Sequence, residues 1–167
     1  LFWKQEQWDK TVQTLAPFLD DPELKKSKSR GGALYMAGQG CFKQYDYAGS
    51  TKFIKMLIQE DPKFEALEEA YAYAARGLLE TKEWAELERL FSEFVGRWPS
   101  SDYRPRMDLY KALAVLGQGQ TEAALKALGS LAEGALFEDV RAEAACRLGR
   151  HYLDAPTPDL NQALKYL

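Results

Sequence analysis

The stretch YAYAARGLLETKEWAELERLFSEFVGRWP, residues 71–99, decides the fold, because an earlier stretch repeats its pattern. Residues 34–62 read LYMAGQGCFKQYDYAGSTKFIKMLIQEDP, and both stretches close on a proline, Pro62 and Pro99. Large, small and aromatic residues recur between the two at a constant offset of 37 residues. A period of about 20 to 50 residues is typical of stacked supersecondary units rather than of one closed globule.

Amphipathic spacing predicts a chain made of helices and short turns, because apolar residues recur every three or four positions. We expect residues 1–5 to be the tail of a preceding helix and residues 25–32 to be a polar linker or first turn. Gly117–Gly119 is expected to be a turn one residue shorter than in the preceding repeat. The predicted helices lie at about 8–19, 33–44, 47–59, 65–81, 84–97, 106–117, 121–133 and 138–152, with a truncated helix after them.

Small residues mark the places where two helices of a pair are expected to cross closely. They are Gly38, Ala75, Ala112 and Cys146. Ala142, Ala145 and Gly149 would complete the small face of the last full helix. The two cysteines, Cys41 and Cys146, are too few for a disulfide framework, so we expect buried free thiols.

The composition agrees with an all-α fold and limits the classes of partner that are expected. Of 167 residues, 46% are hydrophobic and the net charge is −3. Strand-favouring Val and Ile are scarce, and the charge is too small to indicate nucleic acid as a general partner. No apolar run approaches the roughly 18 residues that span a bilayer. The compartment stays open between bacterial periplasm and cytoplasm.

The small and large positions resemble the tetratricopeptide repeat (TPR). Residues 34–62 follow the family pattern, and residues 145–167 also resemble the related Sel1-type repeat. The period and the run from Phe91 to Ser101 are similar to repeats of bacterial envelope-assembly and secretion proteins. Residues 71–99 match the TPR pattern best, through Tyr71, Ala74, Ala75, Leu78, Trp84, Phe91 and Pro99.

The resemblance implies a right-handed superhelical solenoid of antiparallel helix pairs, with about eight or nine helices. We expect one repeat domain over residues 1–167, cut from a longer array. Its repeats would cover about 1–22 in part, 31–62, 68–99, 105–134 and 138–167 in part.

In TPR proteins, the first helix of each pair faces a concave groove that holds a peptide. Tyrosine and arginine are residue types enriched at binding hot spots. The tyrosines instead fit packing between helices, and Arg76 and Arg147 fit pairing with Glu80 and Glu143, four residues away. Both interpretations stay open at this point. The groove positions carried over as partner-binding are Tyr35, Gln39, Tyr73, Arg76, Tyr110, Lys111, Arg147 and Arg150.

The sequence contains no conventional set of residues for catalysis or for metal binding. His151 is the single histidine, so neither a conventional zinc cluster nor a Ser/His/Asp triad can be assembled. Carboxylate pairs fall at predicted helix ends, where they serve as caps or face water. We expect no enzyme activity, no cofactor and no metal. The basic run Lys25, Lys26, Lys28 and Arg30 is expected to be a solvated linker, with the binding of an acidic partner or of nucleic acid as the alternative.

Two functional hypotheses follow. The first is a non-catalytic scaffold that binds a peptide or helix of another protein in its groove. The second is a structural spacer that self-associates through uncapped apolar ends: Phe2, Trp3 and Trp8 at one end, and Leu164, Tyr166 and Leu167 at the other. The Lys and Asn pattern that clamps acidic chaperone tails is missing, so that TPR subtype is not expected.

Overall fold

The computed structural model describes residues 3–167, and every regular element in that range is helical. The predicted all-α class is therefore confirmed. The nine α-helices of this range are α1 Trp8–Asp20, α2 Arg30–Lys43, α3 Tyr47–Glu60, α4 Leu67–Glu80, α5 Trp84–Arg97, α6 Arg104–Gly117, α7 Thr121–Gly134, α8 Glu138–Leu153 and α9 Leu160–Tyr166. Short 3-10 helices lie at Trp3–Gln5 and Pro22–Lys26.

These helices form two compact units, which divide between Trp98 and Pro99. In the first unit, each helix from α1 to α5 packs on the next one, and α2 also contacts α4. In the second unit, α6 to α9 pack in the same order, and α6 also contacts α8. Each helix therefore touches its neighbours in sequence, as consecutive helix pairs require.

The 37-residue period is a property of the helices themselves. The first helices of three pairs begin at residues 30, 67 and 104, and the second helices begin at 47, 84 and 121. All six are 14 residues long. One helix pair with its turns thus occupies one 37-residue period of the sequence.

A left-handed residue ends the first helix of each of these three pairs. Tyr45, Lys82 and Gly119 have φ angles of 61°, 61° and 80°, and they lie 37 residues apart. At the first of them, Asp46 N–H bonds to the Cys41 carbonyl and Tyr45 N–H bonds to the Phe42 carbonyl, which is the Schellman pattern. The turn at 118–120 has the same three-residue length as the one at 81–83, so the shorter turn expected around Gly117–Gly119 is wrong.

Close helix approach explains most of the small residues, with one correction. Gly38, Ala75 and Ala112 are buried as predicted. Cys146 is exposed, and Gly149 lies 37 residues after Ala112 in its place. A Cβ on Gly149 would come within 2.5 Å of Leu167 Cγ.

The error at Cys146 is rotational. Three residues fall about 60° short of a full helical turn, which turns Cys146 from α9 toward solvent. Ala142 is exposed and Ala145 is only half-buried as well, so the predicted small face is wrong apart from Gly149. The side chains that α8 buries are those of Val140, Ala144 and Leu148.

The predicted linker at residues 25–32 is partly helix, because α2 begins at Arg30. The Arg30 side chain is only 4% exposed. Its Nε donates to Glu60 Oε2 at 2.5 Å, and its Nη1 donates to the Leu19 carbonyl at 3.1 Å. Lys25, Lys26 and Lys28 are exposed as expected. The solvated interpretation is therefore wrong for Arg30, which joins the ends of α1 and α3 instead.

Candidate functional site

The groove residues predicted in the first unit come together on one face, where α2 lies against α4. Gln39 Nε2 donates to the Tyr73 hydroxyl at 3.0 Å. The rings of Tyr35 and Tyr73 lie 6.4 Å apart, with their planes at 63°. All three side chains are half-buried, so they pack on the unit and still reach its surface.

Glu69 is the polar centre of this face. Tyr35 donates its hydroxyl to Glu69 Oε2 at 2.7 Å, and Tyr73 donates to Oε1 at 3.2 Å. Hydrogen bonds to a charged acceptor are stronger than neutral ones. The Glu69 carboxylate of α4 therefore holds one tyrosine from each of the two helices in place.

The rings continue in both directions and form what we call the aromatic row. The ring centroid of Phe64 lies 5.3 Å from that of Tyr35. The ring centroid of Phe42 lies 4.9 Å from that of Tyr73 and 5.7 Å from that of Tyr47. Tyr45, 6.3 Å beyond Tyr47, ends the row and is 79% exposed. In order, the row is Phe64, Tyr35, Tyr73, Phe42, Tyr47 and Tyr45.

Four members of the row were not among the predicted partner-binding residues. Phe42 is on α2, Phe64 precedes α4, and Tyr45 and Tyr47 lie at the α2–α3 turn. A pattern that assigns the groove to first helices alone omits the turn residues. The local density of aromatic residues between 42 and 47 is the sequence signal that could have found three of the four.

Arg76 lies on α4 and pairs with Glu80 at 2.7 Å. This is the intrahelical pair that the four-residue spacing allowed. The Arg76 side chain keeps 20% of its surface exposed, so it borders the face rather than projecting from it.

In the second unit the predicted residues have unlike environments. Tyr110 is only 5% exposed and hydrogen-bonds to Arg106, which also pairs with Asp139 of α8. Arg147 pairs with Glu143 at 3.5 Å. Arg150 is exposed near the end of α8. Tyr110 is thus part of the interior of the second unit.

Lys111 borders an apolar groove between α6 and α7, with a volume of about 350 Å³. Val115 lines it from α6, and Ala123, Ala127 and Leu131 line it from α7. The walls are mostly aliphatic, and Asp108, Lys111 and Ser130 are the polar residues that line them.

The two thiols differ in accessibility. Burial, with the neighbouring Asp46 carboxylate, raises the pKa of Cys41 to about 12. A thiol with so high a pKa forms little of the reactive thiolate at neutral pH. Cys146 is exposed on α8.

Over the described residues, no group of three or more His, Cys, Asp or Glu side chains is placed to hold a metal ion. His151 is half-buried, with its ring 5.6 Å from that of Tyr152. None of the helices in residues 3–167 has the length and apolar character needed to cross a bilayer.

Comparison with known proteins does not assign the chain to a family. No family model matches the chain, and no curated protein matches it.

Proposed function

We propose that this chain is a non-catalytic scaffold of the TPR type, which binds a peptide or helix of another protein. In this proposal, the helix pairs within each unit stack with the right-handed twist of that family. The aromatic row and its border at Arg76 form the contact surface. The 37-residue repetition of helix starts and left-handed turns supports the family assignment.

The observation that carries the function is the row of six aromatic rings on one face of the first unit. Aromatic rings bury much area and lose little conformational entropy on binding. Glu69 already holds two of them, which lowers the cost of ordering them. A surface prepared in this way is suited to binding rather than to bond making.

The test uses the full chain with a photo-crosslinking amino acid at Tyr45, which is 79% exposed. We expect crosslinks to a partner in extracts of the source cells, and we expect the combined Tyr73→Ala and Arg76→Ala changes to abolish them. Far-UV circular dichroism should show unchanged helicity. The matched control places the crosslinker at exposed Glu88 of α5. Equal capture at both positions, or capture that survives the double substitution, would contradict the assignment.

A second candidate function is self-association through α9, and the exposed leucines of that helix favour it. Leu160, Leu164 and Leu167 are 60%, 77% and 69% exposed. Exposed apolar ends of repeat arrays need covering. Trp8, predicted for the other end, is half-buried, whereas Phe2 and the side chain of Trp3 lie outside the described residues.

Sedimentation at increasing concentration tests this second candidate. If α9 pairs between copies, the wild-type chain should dimerise and Leu164→Glu should not. A chain that stays monomeric throughout would exclude it. The crosslinking result does not depend on this outcome, because Tyr45 lies in the first unit.

A further inference from the structure

We infer that the aromatic row binds a proline-rich segment in the polyproline II conformation, with a basic residue at the end nearest Phe64. This inference rests on the proposed binding function and names the chemistry of the partner. Three observations carry it: the spacing of the rings, their tilts, and the charge at one end of the row.

The spacing of the rings matches a polyproline helix. Tyr35 and Phe42 are seven residues apart on α2, which places them about 10.5 Å apart along the helix axis. One turn of polyproline II rises about 9.3 Å over three residues. Successive turns of such a ligand would therefore meet successive rings of α2, with Tyr73 of α4 lying between them.

The tilts of the rings favour prolines over a flat ligand. Neighbouring planes from Phe64 to Tyr45 are inclined by 40°, 63°, 62°, 77° and 74°. Because the inclined rings pack against one another, they present edges and faces as a ridged apolar surface rather than a flat one, and the ridged outline of a polyproline helix can lie along such a surface. A sugar chain needs ring faces that lie parallel to successive sugars, and this row does not offer a common plane.

The charge is concentrated near Phe64. A Cβ built on Gly31 would lie 2.5 Å from Asp61 Oδ2 and 3.3 Å from Phe64 Cδ2, so both residues lie against the start of α2. Lys63 is the one cation between residues 61 and 69, and the Arg97 guanidinium of α5 also reaches this segment, where it donates to the Pro62 carbonyl at 2.9 Å. The carboxylates of this segment are Asp61, Glu65, Glu68 and Glu69. A basic residue of the ligand is therefore attracted to this end, which sets the direction of binding.

The test is fluorescence anisotropy with the full chain and a labelled peptide of one arginine followed by about nine residues of polyproline, a length that covers about three turns. We expect saturable binding. Replacing the arginine with glutamate should weaken binding several-fold, and the difference should shrink in high salt. A glycine-serine peptide with the same arginine should not bind.

Variants of the row decide where the peptide sits. Tyr73→Leu keeps apolar volume but removes the ring, and it should weaken binding at least about tenfold. Tyr45→Ser changes a residue that is 79% exposed, so it reports on the row even where Tyr73→Leu disturbs folding. Tyr35→Phe keeps its ring but removes the hydrogen bond to Glu69, so it should weaken binding less than Tyr73→Leu does. The matched control is Tyr152→Leu, which alters the stacked pair Tyr152–Tyr166 in the second unit.

The inference is overturned if the proline peptide does not bind, if the glycine-serine peptide binds equally well, or if a cello-oligosaccharide binds in its place. It is also overturned if Tyr73→Leu and Tyr45→Ser both leave the affinity unchanged. Failure here while crosslinking at Tyr45 still succeeds would remove only the ligand class. Failure of both experiments would remove the binding function as well.

Discussion

At the scale of single residues, some helix contacts in the first unit are so close that only glycine, whose side chain is a hydrogen atom, fits there. Gly77 of α4 faces α3 so closely that an added Cβ would lie 2.1 Å from Thr51 Oγ1 and 2.9 Å from the Tyr47 carbonyl oxygen. The first of these atoms could rotate away, but the second belongs to the backbone. Gly77 therefore sets how closely α3 and α4 approach.

We expect Gly77→Ala to lower the free energy of unfolding by about 1–3 kcal/mol, because overpacking forces the backbone to move. Gly96→Ala in α5 is the matched control, since no atom lies within 4 Å of its added Cβ. That control should raise stability by about 0.5–1 kcal/mol, because alanine favours helix over glycine. Urea denaturation measures both variants, and equal effects would contradict the close-approach explanation.

Ser50 places a polar side chain in a fully buried position. It is fully buried in α3, and its Oγ has no hydrogen-bond partner among the described residues. Ala124 holds the position two periods later and is equally buried. A buried hydroxyl without a partner costs about 1–3 kcal/mol.

Ser50→Ala should therefore raise the free energy of unfolding by about 1 kcal/mol, because it removes an unsatisfied polar group with little change in volume. Ser92→Ala is the comparison, since the Ser92 hydroxyl is exposed and donates to the Glu88 carbonyl. Surface changes of that kind stay within about 0.5 kcal/mol. Thermal melting of both variants is the measurement, and a destabilised Ser50→Ala would show that the hydroxyl has a role in the fold.

At the scale of elements, the three equivalent turns use different residues for one backbone conformation. A left-handed φ costs a residue with a side chain about 1–2 kcal/mol, and glycine adopts it without that cost. Gly119 meets the requirement, whereas Tyr45 and Lys82 adopt the same conformation at φ 61°. Tyr45 also ends the aromatic row, so its strained position presents a ring to the surface.

Lys82→Gly should raise the free energy of unfolding by about 1 kcal/mol, whereas Gly119→Ala should lower it by about 1–2 kcal/mol. Lys82→Ala is the control, because it removes the long side chain and keeps the strained φ. If Lys82→Ala stabilises the protein as much as Lys82→Gly, the gain comes from the lysine and not from the backbone.

The elements also show where pattern reasoning works and where it fails. Helix positions were predicted to within a few residues because turns and apolar spacing act locally. The start of α8 departs from the period, because three residues join it to α7 where six join α3 to α4. Cys146 was aligned 34 residues after Ala112, whereas the equivalent residue of α8, Gly149, keeps the 37-residue offset. Burial of Arg30 was missed because its partners, Glu60 and the Leu19 carbonyl, are brought to it only by packing.

At the scale of the whole molecule, the buried ionisable side chains of Cys41 and Tyr71 make the free energy of unfolding depend on pH in the alkaline range. The folded chain raises the pKa of Cys41 from 9.0 to about 12, through burial and then Asp46. It also raises the pKa of Tyr71 from 10.0 to about 12, through burial and then the hydrogen bond to Glu93. Both groups therefore keep their protons in the folded state at a pH where the unfolded chain has released them.

The free energy of unfolding should consequently fall as pH rises from about 9 toward 12, because the unfolded state binds fewer protons over that range. Below pH 9 both states are protonated, and this contribution to the pH dependence vanishes. Denaturation across the alkaline range should show a flatter slope for Cys41→Ala and for Tyr71→Phe. Cys146→Ala, at an exposed thiol, should keep the wild-type slope, and a flattened slope there would contradict the assignment.

The sequence by itself determined the helical class, the 37-residue period and the approximate bounds of the helices, because these depend on interactions within a few residues of each position. Tertiary structure alone decided which half-buried side chains meet. Tyr35 and Glu69 are 34 residues apart in sequence, and their contact depends on how α2 packs against α4. Packing likewise exposes Cys146 and buries Tyr110 without changing any local pattern. The surface that could bind a partner is a product of packing for this reason.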